Sequence, residues 1–227
     1  LDIHKPKPFH NLREFLGEIA VVVLGILIAI GLEQLVEHLR WEQAVQSARA
    51  SLHREMAFNA AYLRDRMTIA PCVDRRIALA SALTEAAAKG RAASGSPLNV
   101  QGTGRLLLRG EWEAERASQT LTHFPRPELA ALGVWYDQLE NMREWAAKEQ
   151  EAWAKLAVLN NGPKQLGPAD VALLRQEVEV VRYLEWLHVR NARRQLDRAR
   201  ELGVEPGPAR EDYVKFSCEP SGAGVLP

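Results

Sequence analysis

A chain of 227 residues has room for one domain of ordinary size and a membrane segment. Lysine plus arginine and aspartate plus glutamate number 29 each, so the net charge is zero and there is no basic excess of the kind a nucleic-acid binder shows. Hydrophobic residues at 47% and charged ones at 26% describe a folded rather than a disordered chain, and the prevalence of alanine, leucine, arginine and glutamate predicts an all-α fold.

Residues 1–14 read as a short cytoplasmic segment and residues 15–36 as a transmembrane helix. From Ile19 to Leu32 no residue is charged or strongly polar, and Glu18 and Glu33 bound the run. That core would be roughly 21 Å long as a helix, shorter than a hydrocarbon layer of about 30 Å. Including Phe15, Leu16, Leu35 and Val36 brings the span near the expected length, and the segment is apolar all round rather than on one face. Lys5, Lys7 and Arg13 precede it, whereas Arg40 and Arg49 follow among several acids. Positive-inside counting therefore favours a cytoplasmic N-terminus and an exported domain, periplasmic in a Gram-negative bacterium and anchored in its inner membrane. Gly25 and Ala29 form a small-xxx-small pair at which another membrane helix could pack, and Glu18 is an ionisable group one turn inside the span. These three residues are the expected membrane-helix contacts.

The stretch Arg13-Glu14-Phe15-Leu16-Gly17-Glu18-Ile19, followed by Val21-Val22-Val23-Leu24-Gly25-Ile26-Leu27-Ile28-Ala29, resembles the N-terminus of uncharacterised bacterial single-pass membrane proteins. Those carry a GEI-x-x-VV-x-GILIA-like helix and then a charged helix. The resemblance covers roughly the first 40 residues. It implies a membrane anchor and supplies no activity.

Residues 37–203 read as a helical domain of about five helices, counted with the stalk that opens it, packed antiparallel in a bundle. Apolar positions at Val45, Ala48, Leu52, Met56, Ala60, Leu63 and Met67 predict a helix continuing from the membrane to Pro71. Asn59 and Arg66 fall on the line through Val45 and Leu52, which argues against a left-handed coiled coil. A second helix is expected from Cys72 to Lys89, and residues 90–104, rich in Gly, Ser and Pro, as the longest loop. Helices follow from Glu111 to about His123, from Pro127 to Asn161, and from Pro168 to Leu202, with Asp170 in the first turn of the last. Residues 204–227 read as an irregular tail.

In an exported domain Cys72 and Cys218 invite a disulfide that pins the tail to the bundle; without C-x-x-C spacing a zinc or redox motif is not indicated. The six histidines show no i, i+4 pair, and His188 alone reads more often as a packed residue than as a ligand. Neither a P-loop nor a G-x-S-x-G elbow is present. Tryptophans 112, 135, 145, 153 and 186 fit a core better than a pocket, although an aromatic-lined pocket is the alternative. The row Arg190, Arg194 and Arg198, joined by Arg193 and Arg200, suits a solvated face near a helix C-terminus or, alternatively, an acidic partner or anionic lipid. The expectation is a non-enzymatic, cofactor-free accessory or interaction subunit of a membrane assembly, partnered by other membrane subunits or by itself. The alternative is a periplasmic sensor of a small ligand that signals through a partner.

Overall fold

The computed structural model describes residues 12–90, 98–103, 106–160 and 166–218. The expectations at residues 91–97, 104–105, 161–165 and 219–227, and for the first eleven residues, lie outside the described residues. The fold is all-α. Its elements are α1 (Leu12–Ala88), α2 (Gly110–Ala117), α3 (Arg126–Leu156), α4 (Pro168–Glu201) and α5 (Glu211–Cys218), with short 3-10 turns at Thr120–His123 and Ala157–Asn160.

α1 corrects the expected break at Pro71. The two helices read on either side of that proline are one helix of 77 residues with Pro71 inside it. A proline here removes one N–H and crowds the carbonyl four residues back, costing about 3 kcal/mol in an isolated helix. Packing on both sides outweighs that cost: Leu63, Ile69, Val73 and Ile77 are all buried, while Pro71 itself faces outward. Because Pro71 is exposed, Pro71→Ala leaves no cavity. It is expected to stabilise the protein by about 2–3 kcal/mol, read from urea unfolding in mild detergent.

From Phe15 to Arg40 every described side chain is exposed, and the stretch is long and apolar enough to cross a membrane. The bundle begins at once after it. The Trp41 ring stacks on His123 at 3.7 Å, and Val45 is the first buried residue. No separate stalk intervenes, so the expected continuation is the first bundle helix itself.

Fusing the first two expected helices changes the topology. α3 runs parallel to α1, shown by the pairs Arg49–Glu128, Glu55–Tyr136 and Arg66–Glu149, whereas α4 runs antiparallel to both. The purely antiparallel arrangement is thus corrected. Between α1 and α2 the described residues 98–103 and 106–109 have no regular secondary structure, and α1 side chains hold them along that helix. Arg76 donates to the Gln101 carbonyl, Tyr62 to the Thr103 carbonyl, and Asn59 pairs with both backbone groups of Leu108. The N-terminus of α2 has no side-chain cap of its own. Glu55 supplies one from α1, accepting the N–H groups of Glu111 and Trp112 and the Tyr136 hydroxyl. Burial and that carboxylate hold the Tyr136 phenol well above its usual range.

α4 begins at Pro168, and Asp170 reaches back to the Gly167 N–H. It ends in a Schellman turn: Gly203 has φ +73°, its N–H meets the Arg200 carbonyl, and the Val204 N–H meets that of Ala199. The segment after it is a second correction, because residues 204–218 are not an irregular tail. The Gly207 N–H bonds the Ala57 carbonyl, the Arg210 N–H bonds Asp65, and α5 lies against α1. Cys218 at its end is bridged to Cys72, the Cα atoms 5.1 Å apart. The expected disulfide is thus present, and Tyr213 of the same helix donates to the Thr103 carbonyl.

Candidate functional site

Two features of the domain are more than packing, and they touch one another. The first is a cluster of charges in the middle of the bundle. Arg66 on α1 has no exposed surface, yet it faces Glu149 of α3 and Glu185 of α4. Glu149 accepts from Arg66 at 3.3 Å, from the Thr103 hydroxyl at 2.9 Å and from the Trp153 indole at 3.3 Å. His188 lies 3.5 Å from Glu149 without hydrogen-bond geometry to it, and the edge of its ring meets Trp145. Arg76 stands over the Trp153 ring at 5.6 Å.

Each group responds to burial against its neighbours. Burial alone would lower the pKa of Arg66, but Glu149 and Glu185 outweigh it and hold the guanidinium charged. Glu149 is pushed up by burial and down further by Arg66, His188, Thr103 and Trp153, so it stays below the usual carboxylate range. Glu185 has fewer donors, and burial wins over Arg66 to hold it up at about 7. Burial, with Arg66 nearby, pushes His188 down to about 4.

These last two groups act on stability with opposite signs. Folded Glu185 keeps a proton that the unfolded chain releases above 4.5, so its contribution is full below that pH and is lost as pH rises through 7. Folded His188 refuses a proton that the unfolded chain takes below 6.5, so its contribution is full above that pH and is lost as pH falls through 4. Between pH 4.5 and 6.5 the two slopes cancel. Glu185→Gln removes one of them. Relative to the parent chain, the variant is expected to lose about 1.4 kcal/mol per pH unit on acidification across that window, measured by urea unfolding at a series of pH values.

The second feature is a groove of about 510 Å³ on the outer side of this cluster. Ala70 and Asp74 of α1 form one wall, and Arg182, Trp186, Arg190, Arg193 and Arg194 of α4 the other; Glu185 is shared with the buried cluster. Trp186 is half exposed, stacks on Tyr183 and carries the Arg190 guanidinium 5.0 Å above its ring. Arg182 is paired with Glu179 at 3.6 Å. Among the described residues, Arg190, Arg193 and Arg194 have no carboxylate within ion-pair distance.

The arginine row seen in the sequence therefore divides. Arg198 donates to Gln195 and Arg200 pairs with Asp197, while the other three line the groove. The tryptophans divide too. Trp112, Trp135 and Trp153 are core residues, and the Trp135 indole is locked to α4 by a reciprocal pair of bonds with Gln195. Trp186 lines the groove. The ionic cluster had no counterpart in the reading of motifs, because its members are separated by 83 and 119 positions. Among the described residues, no group of three or more His, Cys, Asp or Glu side chains is placed to hold a metal ion.

In the apolar N-terminal stretch of α1, Glu18, Gly25 and Ala29 lie on one helical face. A Cβ added at Gly25 would meet nothing within 4 Å, as at Gly17 and Gly31, since this whole stretch is exposed. No family model, curated protein or solved structure matches the chain.

Proposed function

We propose that the protein is a single-pass, membrane-anchored accessory subunit whose helical domain works by binding rather than by catalysis. The observation that carries this reading is the continuity of α1. One helix supplies the membrane segment, the first bundle contacts at Trp41 and Val45, and the Arg66 centre of the core. A partner engaged within the membrane through Glu18, Gly25 and Ala29 would thereby be coupled to the domain without a flexible joint. The resemblance of the first 40 residues to single-pass membrane proteins agrees with an anchor. The N-terminus is assigned to the cytoplasm and the domain to the periplasm of an inner membrane. This orientation is supported by Lys5, Lys7 and Arg13 before the span and by a Cys72–Cys218 bridge that suits an oxidising compartment.

Cysteine cross-linking tests the reading. Gly25→Cys and Ala29→Cys in native membranes should trap a defined heteromeric or homomeric product, while Leu27→Cys on the opposite face should not. Recovery of a lone monomer from mild detergent, with no product from either cysteine, would sink it. A C-terminal reporter that is active only when exported checks the orientation.

A second reading, a sensor that signals through its membrane partner, is favoured by one observation: the arginine-lined groove opens directly over the buried cluster.

A further inference from the structure

The groove between α1 and α4 carries an arrangement that a solvated basic face does not need. Three arginines one to four positions apart, Arg190, Arg193 and Arg194, point into one depression without carboxylate partners. Guanidinium groups in that state suit carboxylate or phosphate oxygens, which they grip through paired N–H donors. Toward the other end of the same wall, beside Arg182 and its partner Glu179, lies Glu185, only 4% exposed, with Oε2 held by Arg66 and Oε1 without any hydrogen-bond partner. Once Glu185 is ionised, above about pH 7, that oxygen is a buried acceptor left unpaired, which is costly and calls for a donor. Asp74 lines the groove beside it and reinforces the demand for positive charge or a donor at that end. The unpaired cations thus gather toward the C-terminal end of α4, while at the opposite end Arg182 is paired with Glu179, and Glu185 and Asp74 supply two carboxyls where the groove meets the core.

We propose that this groove binds a small organic anion that also carries an amino group. Its phosphate or carboxylate sits on Arg190, Arg193 and Arg194, its ammonium is directed to Glu185 and Asp74, and Trp186 forms the flat side. The volume of about 510 Å³ is in the range of small-ligand sites. From Glu185 to Arg190 the wall rises about 8 Å along the helix, so the two charged ends of one small molecule can reach both. The same chemistry is offered by aminophospholipid headgroups. Ala70, however, lies 34 residues beyond Val36, about 50 Å along α1 from the end of the span, so the ligand is drawn from solution. This inference does not depend on a membrane partner, and its test is made on the isolated full chain.

The test is calorimetric titration of the full-length protein in mild detergent with O-phosphoethanolamine and with L-glutamate, and with ethyl phosphate as an anion lacking the amine. The expected result is saturable one-site binding of at least one amino-bearing probe, about tenfold tighter than ethyl phosphate, as befits one charge-assisted hydrogen bond. Arg190→Gln/Arg194→Gln should weaken all binding by about tenfold or more. Glu185→Gln should erase only the advantage of the amine and leave ethyl phosphate binding in place, which separates loss of a ligand contact from loss of the fold. An unchanged thermal midpoint for the double arginine variant makes the same check on its fold. Absence of saturable binding by both amino-bearing probes overturns the proposal, as does binding that ignores these substitutions. Capture of poly-glutamate alone would mark the groove as a docking face for an acidic chain, and capture of phosphatidylethanolamine vesicles alone would mark a lipid site; each result overturns it as well.

Discussion

Arg66→Met is expected to destabilise the domain by about 3–5 kcal/mol, because it strands two carboxyl groups in the core instead of removing a polar contact. Arg66 is fully buried, and its partners Glu149 and Glu185 are nearly so. With the guanidinium gone, both carboxyls must either take up protons or stay charged in a poor dielectric. The loss should therefore be larger at pH 8 than at pH 5. Urea unfolding at both values reads this difference, and an equal loss at the two would show that packing volume, not charge, is what Arg66 contributes. Replacing all three members with apolar residues, Arg66→Met/Glu149→Leu/Glu185→Leu, should recover most of the stability, since desolvation of the ions then vanishes with their attraction. If stability returns, the cluster's retention points to the groove that shares Glu185, rather than to folding.

Opening the Cys72–Cys218 bridge should have an effect of similar size by a different route. The two residues are 146 positions apart, and closing so long a loop restricts the unfolded chain by about 5 kcal/mol in the chain-entropy account. In Cys72→Ser/Cys218→Ser, α5 keeps its Tyr213–Thr103 bond and the Arg210–Asp65 contact, but nothing covalent holds its end. Hydrogen exchange should show α5 losing protection first, with the global unfolding midpoint falling as well. Full protection of α5 in the serine variant would mean that its non-covalent contacts suffice. Cytosolic expression with no loss of midpoint relative to exported protein would also count against the bridge as a stabilising element.

Which parts of this molecule could be read in advance follows from the range of the forces involved. The apolar segment, the Pro168 start of α4 and its Gly203 end are set by neighbours a few residues away, and they stand where local chemistry places them. The buried positions of Val45, Ala48, Leu52, Met56, Ala60 and Leu63 follow from spacing alone. Pro71 misled because a local rule was applied where distant packing decides. A better signal was available: Val45, Leu52, Asn59, Arg66, Val73 and Ala80 recur at every seventh position, and the line keeps its phase across the proline. All six are buried. Asn59 and Arg66 looked like interruptions of a core face, yet they belong to it. Their partners, Leu108 for one and Glu149 and Glu185 for the other, are brought in only by the fold. The parallel course of α1 and α3 was illegible for the same reason, since the segment before α2 is held along α1 by Asn59, Tyr62 and Arg76 rather than by any turn residue.

The bridge at Cys218 has a mechanical meaning as well. A load applied between the N-terminal end of α1 and anything attached beyond residue 218 enters α1 at Cys72 through a covalent link. It bypasses the loop between residues 72 and 218, which holds the whole of α2, α3 and α4 and the α4 wall of the groove. Roughly 500 Å of chain contour is thereby hidden from extension at the reach of a stretched backbone. Pulled from its C-terminus, the oxidised protein would yield only along the part of α1 before residue 72, whereas the reduced protein would extend through the whole domain. The disulfide turns the domain into cargo carried beside the line of tension.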